Sequence, residues 1–205
     1  MWTRRGVLQG CVGIAGALAF SLNLSALRRD PSVRRNIGTT RAVFDRDFPE
    51  ALLFGRAARD LGISTHAISG DVTSVWYDDL YFHWQRGSAV VAGLTGSSAL
   101  FCLERLAWDS GYRVFLRVDH ERSSDGTVKH EFHGPCELLP AIAQLLQRSD
   151  WGEPMAELLA RCPVATASCT SSALPRTPSR SPSWSEPLVS WIIAPRSTSP
   201  RSALT

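Results

Sequence analysis

From Thr40 onward the hydrophobic and polar positions change period in a regular way. Thr40-Arg41-Ala42-Val43-Phe44 predicts a short strand. Asp47-Phe48-Pro49-Glu50 has the spacing of a capping box with Asp47 as N-cap, and Leu53, Ala57 and Leu61 then recur at helical spacing up to Gly62. Residues 63–68 predict a second strand, and Asp71 opens a second helix running to about Gln85. Residues 88–94 are almost continuously apolar, the pattern of a strand covered on both faces. Ser97 caps a third helix, which Gly111 ends. Residues 112–118 predict a fourth strand, and Ser123-Ser124-Asp125-Gly126 turns the chain into an antiparallel fifth, 127–132. Helices over 137–147 and 154–161 complete the patterned region.

Three successive strand–helix units predict an α/β domain over residues 39–163. Its expected form is a three-layer sandwich around a mostly parallel sheet of about four strands plus an antiparallel C-terminal strand. Ligands of such sheets bind beyond the carboxyl ends of the strands. That rule selects Asp45, Asp71 and His120 as candidate catalytic groups, and Thr73, Thr95, Gly96 and Ser97 as candidate ligand contacts. Asp47, Asp71 and Ser97 also stand where helix N-caps are wanted. Leu94-Thr95-Gly96-Ser97-Ser98 leads a buried strand into a helix, so its backbone N–H groups suit an anion, although neither a dinucleotide fingerprint nor a P-loop is present.

The second helix is crowded with rings. Val72, Val75, Trp76, Leu80 and His83 follow helical spacing and predict its core face, leaving Tyr77, Tyr81, Phe82 and Trp84 for a groove or partner contact; Trp76 is the ring placed for either core or ligand. A two-residue turn at Asp125-Gly126 would set His120 opposite Glu131, with His133 diagonal to it on the same face. Two imidazoles and a carboxylate so placed suit zinc or iron, with Cys136 a further soft ligand.

The chain opens MWTRRGVLQGCVGIAGALAF, a positive end followed by an apolar middle and small-residue cleavage sites near Ala19. Thr3-Arg4-Arg5-Gly6-Val7-Leu8-Gln9 resembles the twin-arginine signal of bacterial Tat substrates, departing from it at Val7 and Gln9. The resemblance covers residues 1–25. It implies export of the folded protein by the Tat translocase to the periplasm or beyond, with 26–38 as a linker. It names no activity, and the cofactor stays open.

Charge refines the picture. The net charge of +3 invites a nucleic-acid reading. The excess of arginine, however, sits in residues 1–35 and 164–205, while the patterned middle is acidic, so nucleic acid is excluded as a partner. Beyond Val164 the chain is dense in Ser, Thr, Pro and Arg, which predicts a disordered tail over 164–205 or one translated out of frame, with the last elements of the fold missing. Only 188–193 there has a strand pattern. Cys136 and Cys162 are the cysteines expected to pair in an oxidising compartment. The function expected is an exported α/β protein that binds a small polar ligand or assists a partner protein; the alternative is an enzyme using the edge carboxylates with His120 as acid or base.

Overall fold

A strand buried on both faces needs helices on each side, and the chain supplies them in order. The computed structural model describes residues 38–87, 89–162, 168–179 and 183–196. β1 (Arg41–Asp45) leads through α1 (Pro49–Asp60) to β2 (Ser64–Ile68). Two short helices, α2 (Thr73–Val75) and α3 (Tyr81–Gln85), are joined by a π-helical turn at Trp76–Leu80 and precede β3 (Val91–Gly96), α4 (Ser97–Asp109) and β4 (Tyr112–Arg122). Then come β5 (Thr127–Pro135), a 3-10 turn at Cys136–Leu138, α5 (Leu139–Leu145), α6 (Gly152–Ala160), β6 (Ser168–Ser171), β7 (Thr177–Pro178) and β8 (Leu188–Pro195).

The described strands form one sheet in the order β2-β1-β3-β8-β4-β5-β6, with β7 paired to β5. The α/β class holds, but the sheet is mostly antiparallel. β1 pairs in parallel with β2 and β3, whereas β3–β8, β8–β4, β4–β5, β5–β6 and β5–β7 are antiparallel. Three strands from beyond Pro163 cause the difference, β6 and β7 on the far edge and β8 in the middle. β8 lies between β3 and β4 and runs opposite to both, so β4 keeps the direction of β3 while bonding to another neighbour.

β8 also corrects the expected end of the fold near Pro163. Its residues Leu188–Ala194 are buried, in the middle of the sheet. Trp191 faces Gly93 across the β3–β8 pair, where a Cβ on Gly93 would lie inside the indole ring, and the indole N–H donates to Thr95 Oγ1 at 3.0 Å. Out-of-frame translation was expected to leave the last elements missing; here the so-called tail supplies the central one. Residues 1–37 and 197–205, with the expected signal, most of the expected linker and the last part of the expected tail, lie outside the described residues.

Alternation along the strands builds two cores, one per sheet face. Ala42, Phe44, Leu94, Leu188 and Ile192 meet α1, α5 and α6 through Phe54, Ile142, Met155 and Leu159. Val43, Val91, Val189, Trp191 and Ile193 meet α3 and α4 through Trp84, Leu100 and Leu103. The three layers are therefore present. In the aromatic segment the π turn sets Val75 and Leu80, five apart, on the same buried side, and Trp84 follows as a core residue where His83 was expected. In β4 a bulge between Val114 and Leu116 reverses the alternation. Tyr112 and Val114 belong to the α4 face, but Leu116 and Val118 belong to the α6 face, and His120 follows them there.

Candidate functional site

The backbone does bring the expected edge together. Asp45 pairs with Ile68, Phe44 with Leu94, and Gly96, Leu188 and His120 line up across β3, β8 and β4. Because β4 runs with β3, Asp45, Thr95 and His120 end on the same edge in spite of the inserted strand. Their side chains, however, are turned to structural work.

Asp45 is 1% exposed. Its carboxylate accepts the backbone N–H of Asp47 and of Gly70, each at 3.1 Å, and so ties the loop after β1 to the loop after β2. Burial pushes its pKa up, against the pull of those two N–H groups. Asp47 accepts a bond from Ser69 Oγ, while Phe48 occupies the N-cap position of α1, so the capping-box expectation for Asp47 is corrected. Asp71 accepts from Thr73 Oγ1 at 2.6 Å and Thr73 N–H at 2.8 Å, and these bonds hold its pKa below the ordinary value. Asp71 and Thr73 are therefore each other's partners in an Asx turn that opens α2. Thr95 is buried and bonds to Trp191 and to the Gly96 carbonyl. Trp76 stands edge-on to Tyr81 at 5.5 Å between ring centroids and tilted against Trp84 at 5.7 Å, which is a packing role.

The anion expected at the N-terminus of α4 is supplied by the chain itself. Gly96 is the N-cap, and the Glu186 carboxylate, drawn in from the segment before β8, accepts from Ser97 Oγ at 3.0 Å, Ser98 N–H at 2.8 Å and Ser98 Oγ at 2.8 Å. Burial pushes the Glu186 pKa up, but the bonds from Ser98 and Ser97 together hold it below the ordinary value. A carboxylate at a helix N-terminus is favoured by the unpaired N–H groups and the helix dipole. No sequence pattern joins Glu186 to Ser98, since nearly ninety residues separate them.

The expected metal set is corrected by the hairpin. Ser123 N–H bonds to the Thr127 carbonyl, and Gly126, at φ 81°, closes a three-residue loop of Ser124, Asp125 and Gly126. That loop is one residue longer than the expected turn, so the register slips by one and His120 faces His130. Glu131 and His133 stand on the opposite sheet face, opposite Asp119 and Arg117. Among the described residues no group of three or more His, Cys, Asp or Glu side chains is arranged to hold a metal ion.

His120 and His130 form a buried pair instead. Their Nδ1 atoms are 2.7 Å apart, His120 Nε2 is 2.8 Å from Ser190 Oγ, and His130 Nε2 is 2.6 Å from Thr177 Oγ1. Trp151 lies against His120 with ring centroids 4.3 Å apart. One proton between the two Nδ1 atoms satisfies the whole row in either direction. If His120 donates it, Ser190 donates to His120 and His130 donates to Thr177; if His130 donates it, every bond reverses. Burial drives the His130 pKa down to about 4 and that of His120 well below the ordinary value, with the neighbouring His130 adding to the latter. His130, Ser190 and Thr177 were missed because two of them lie in the segment expected to be disordered.

A second cluster, also unforeseen, sits at the opposite edge. Asp79, in the π turn, accepts from Arg41 Nε and from His66 Nε2, both at 2.9 Å, while Arg41 Nη2 donates to His83 Nε2 at 2.6 Å. The cluster pins the π turn to β1 and β2.

One cleft opens on the α4 face, where the sheet extends past its helical cover. It holds about 240 Å³ and is lined by Glu104, Val114, Phe115, Arg117, His133, Gly134 and Ser168. Arg117 is braced by a two-oxygen contact with Asp119 at 2.7–3.0 Å, and His133 Nδ1 is 3.0 Å from Thr170 Oγ1. No family model, curated protein or solved structure matches this chain. Geometry is therefore the basis for a functional reading. Among the described residues no helix is long and apolar enough to cross a membrane.

Proposed function

We propose that this chain is an exported α/β protein that binds a small dipolar ligand, of amino-acid size, in the cleft between α4 and β4–β6. The observation that carries the reading is the cleft itself, whose lining includes a carboxylate residue, Glu104, a guanidinium residue, Arg117, and an imidazole residue, His133. Concave sites with apolar walls and a few converging polar groups are where small ligands bind. Glu104 would take an ammonium or hydroxyl, and Arg117 with Ser168 would take a carboxylate. The carboxyl edge supports binding less well, because Asp45, Asp71, Thr95 and Glu186 spend their hydrogen-bonding capacity within the fold. The alternative, acid–base catalysis by Asp45 and His120, meets the same obstacle: Asp45 is 1% and His120 0% exposed, so neither touches a substrate in this conformation.

The test is a thermal-shift and calorimetric screen of small zwitterions, anions and amines on the domain. A fitting zwitterion at a hundredfold excess over its Kd is expected to add about 2.7 kcal/mol of stability. Arg117→Met and Glu104→Gln are each expected to remove that gain while leaving the unliganded melt within about 1 kcal/mol of the parent, as suits exposed or half-exposed sites. Binding that survives both substitutions would place the ligand elsewhere.

The export half of the proposal rests on the twin-arginine signal at Arg4 and Arg5. Replacing both by Lys is expected to retain folded protein in the cytoplasm. Undiminished export in cells lacking the Tat translocase would sink that half alone.

A further inference from the structure

β5 ends at Pro135, and the chain turns at once into the 3-10 segment that begins with Cys136. On its other side β5 pairs with β6, with Gly134 opposite Cys169 and Pro135 opposite Ser168. This register brings Cys136 and Cys169 to the same corner of the sheet, where the neighbouring Cys136 thiol pushes the Cys169 pKa up. Both residues are half-buried, within reach of solvent. The other described cysteines differ in setting. Cys162 is fully buried, with its thiol pushed up to about 12 by burial, and Cys102 is exposed on α4. The sequence set Cys136 with Cys162; the β5–β6 register sets Cys136 next to the strand end that carries Cys169.

We propose that Cys136 and Cys169 form a redox-responsive dithiol–disulfide pair that fastens β6 to the end of β5. The reaction is thiol–disulfide exchange with a small or protein disulfide as oxidant. One cysteine thiolate attacks a sulfur of the oxidant, whose S–S bond breaks and releases a thiolate that takes up the proton lost from the attacking thiol. The second cysteine thiolate attacks the mixed disulfide, forming the Cys136–Cys169 bond and releasing the other half of the oxidant as a thiol. The two cysteines lose two electrons, and the oxidant gains them.

The bond would lie beside the cleft, because Gly134 and Ser168 belong both to the cleft wall and to the β5–β6 register next to it. Fixing that wall is a consequence for ligand binding that rests on the cleft reading above; the bond itself does not. It closes a loop of about 30 residues, a length at which a disulfide limits the unfolded chain strongly.

The experiment uses the full chain, incubated with glutathione disulfide and then digested without reduction. A peptide joining Cys136 to Cys169 is expected, with the loss of a pair of titratable thiols and a rise in Tm on the order of 10 °C that dithiothreitol reverses. Cys102→Ser keeps the linked peptide and the rise; Cys136→Ser and Cys169→Ser each abolish both. Should a serine variant fail to fold, peptide mapping of the unaltered chain decides by itself. Retention of both thiols under oxidant, or a link from either to another cysteine, overturns the proposal. Failure of every ligand to bind counts against the cleft and not against the bond.

Discussion

A chain cut after Pro163 is expected not to fold, although every element of the strand–helix pattern is kept. The cut removes β8, whose Leu188, Val189, Trp191, Ile192 and Ile193 are all 0% exposed. At roughly 1.5–3 kcal/mol for each large apolar side chain taken out of water, their loss alone is on the order of 10 kcal/mol. That matches the whole net stability of a typical domain, about 5–15 kcal/mol. The cut also leaves the facing edges of β3 and β4 without partners, which is a template for aggregation. Circular dichroism and a urea melt check it: a cooperative transition in the truncated chain, at the parent's midpoint, would contradict the position of β8. A point substitution tests the same contact with the chain intact. Gly93→Ala puts a methyl group into the Trp191 ring and is expected to cost about 1–3 kcal/mol by overpacking. Limited proteolysis is expected to spare residues 183–196 for the same reason.

Acid is expected to destabilise the fold through the two buried histidines before the bulk of its carboxylates titrate. Both have folded pKa values below the unfolded value of about 6.5, so the folded state binds fewer protons than the unfolded one. Their contribution is complete above about pH 6.5 and is lost as the pH falls, for His130 down to about 4. That interval corresponds to a loss on the order of 3 kcal/mol for His130, and His120 adds to it in the same direction. The geometry gives the cause: only one proton fits between the two Nδ1 atoms, and a second would set two N–H groups head to head under Trp151. Asp45 acts in the opposite sense, since its raised pKa lets protonation favour the folded state. Urea melts across this range should therefore fall more steeply with acid in the parent than in His130→Gln. That variant is expected to start lower at neutral pH, because it disturbs the bonds to His120 and Thr177. Equal slopes would show that the pair does not govern acid stability.

The sequence by itself determined the local elements. β1 to β5, α1, α4, α5 and α6 lie within a few residues of where the pattern put them, because alternation and helical spacing are set by near neighbours. It also determined that β1, β3 and β4 run the same way, since helical crossovers favour that direction, and so it placed Asp45, Thr95 and His120 on one edge. Three decisions lay outside its reach. The central position of β8 depends on a Trp191 ring that needs the bare backbone of Gly93, and the Ser- and Pro-rich chain on either side hides the strand. The partners of His120 depend on one extra residue in the Asp125-Gly126 loop and on a bulge in β4, and either is enough to turn a side chain to the other face of a sheet. The occupant of the α4 N-terminus is Glu186, which arrives from far along the chain. The first and third are contacts between segments distant in sequence, and the second turns on loop length and a bulge; all three are chosen by packing and by the need to pair buried polar groups. Periodicity carries no information about either, and for that reason only the tertiary structure decided them.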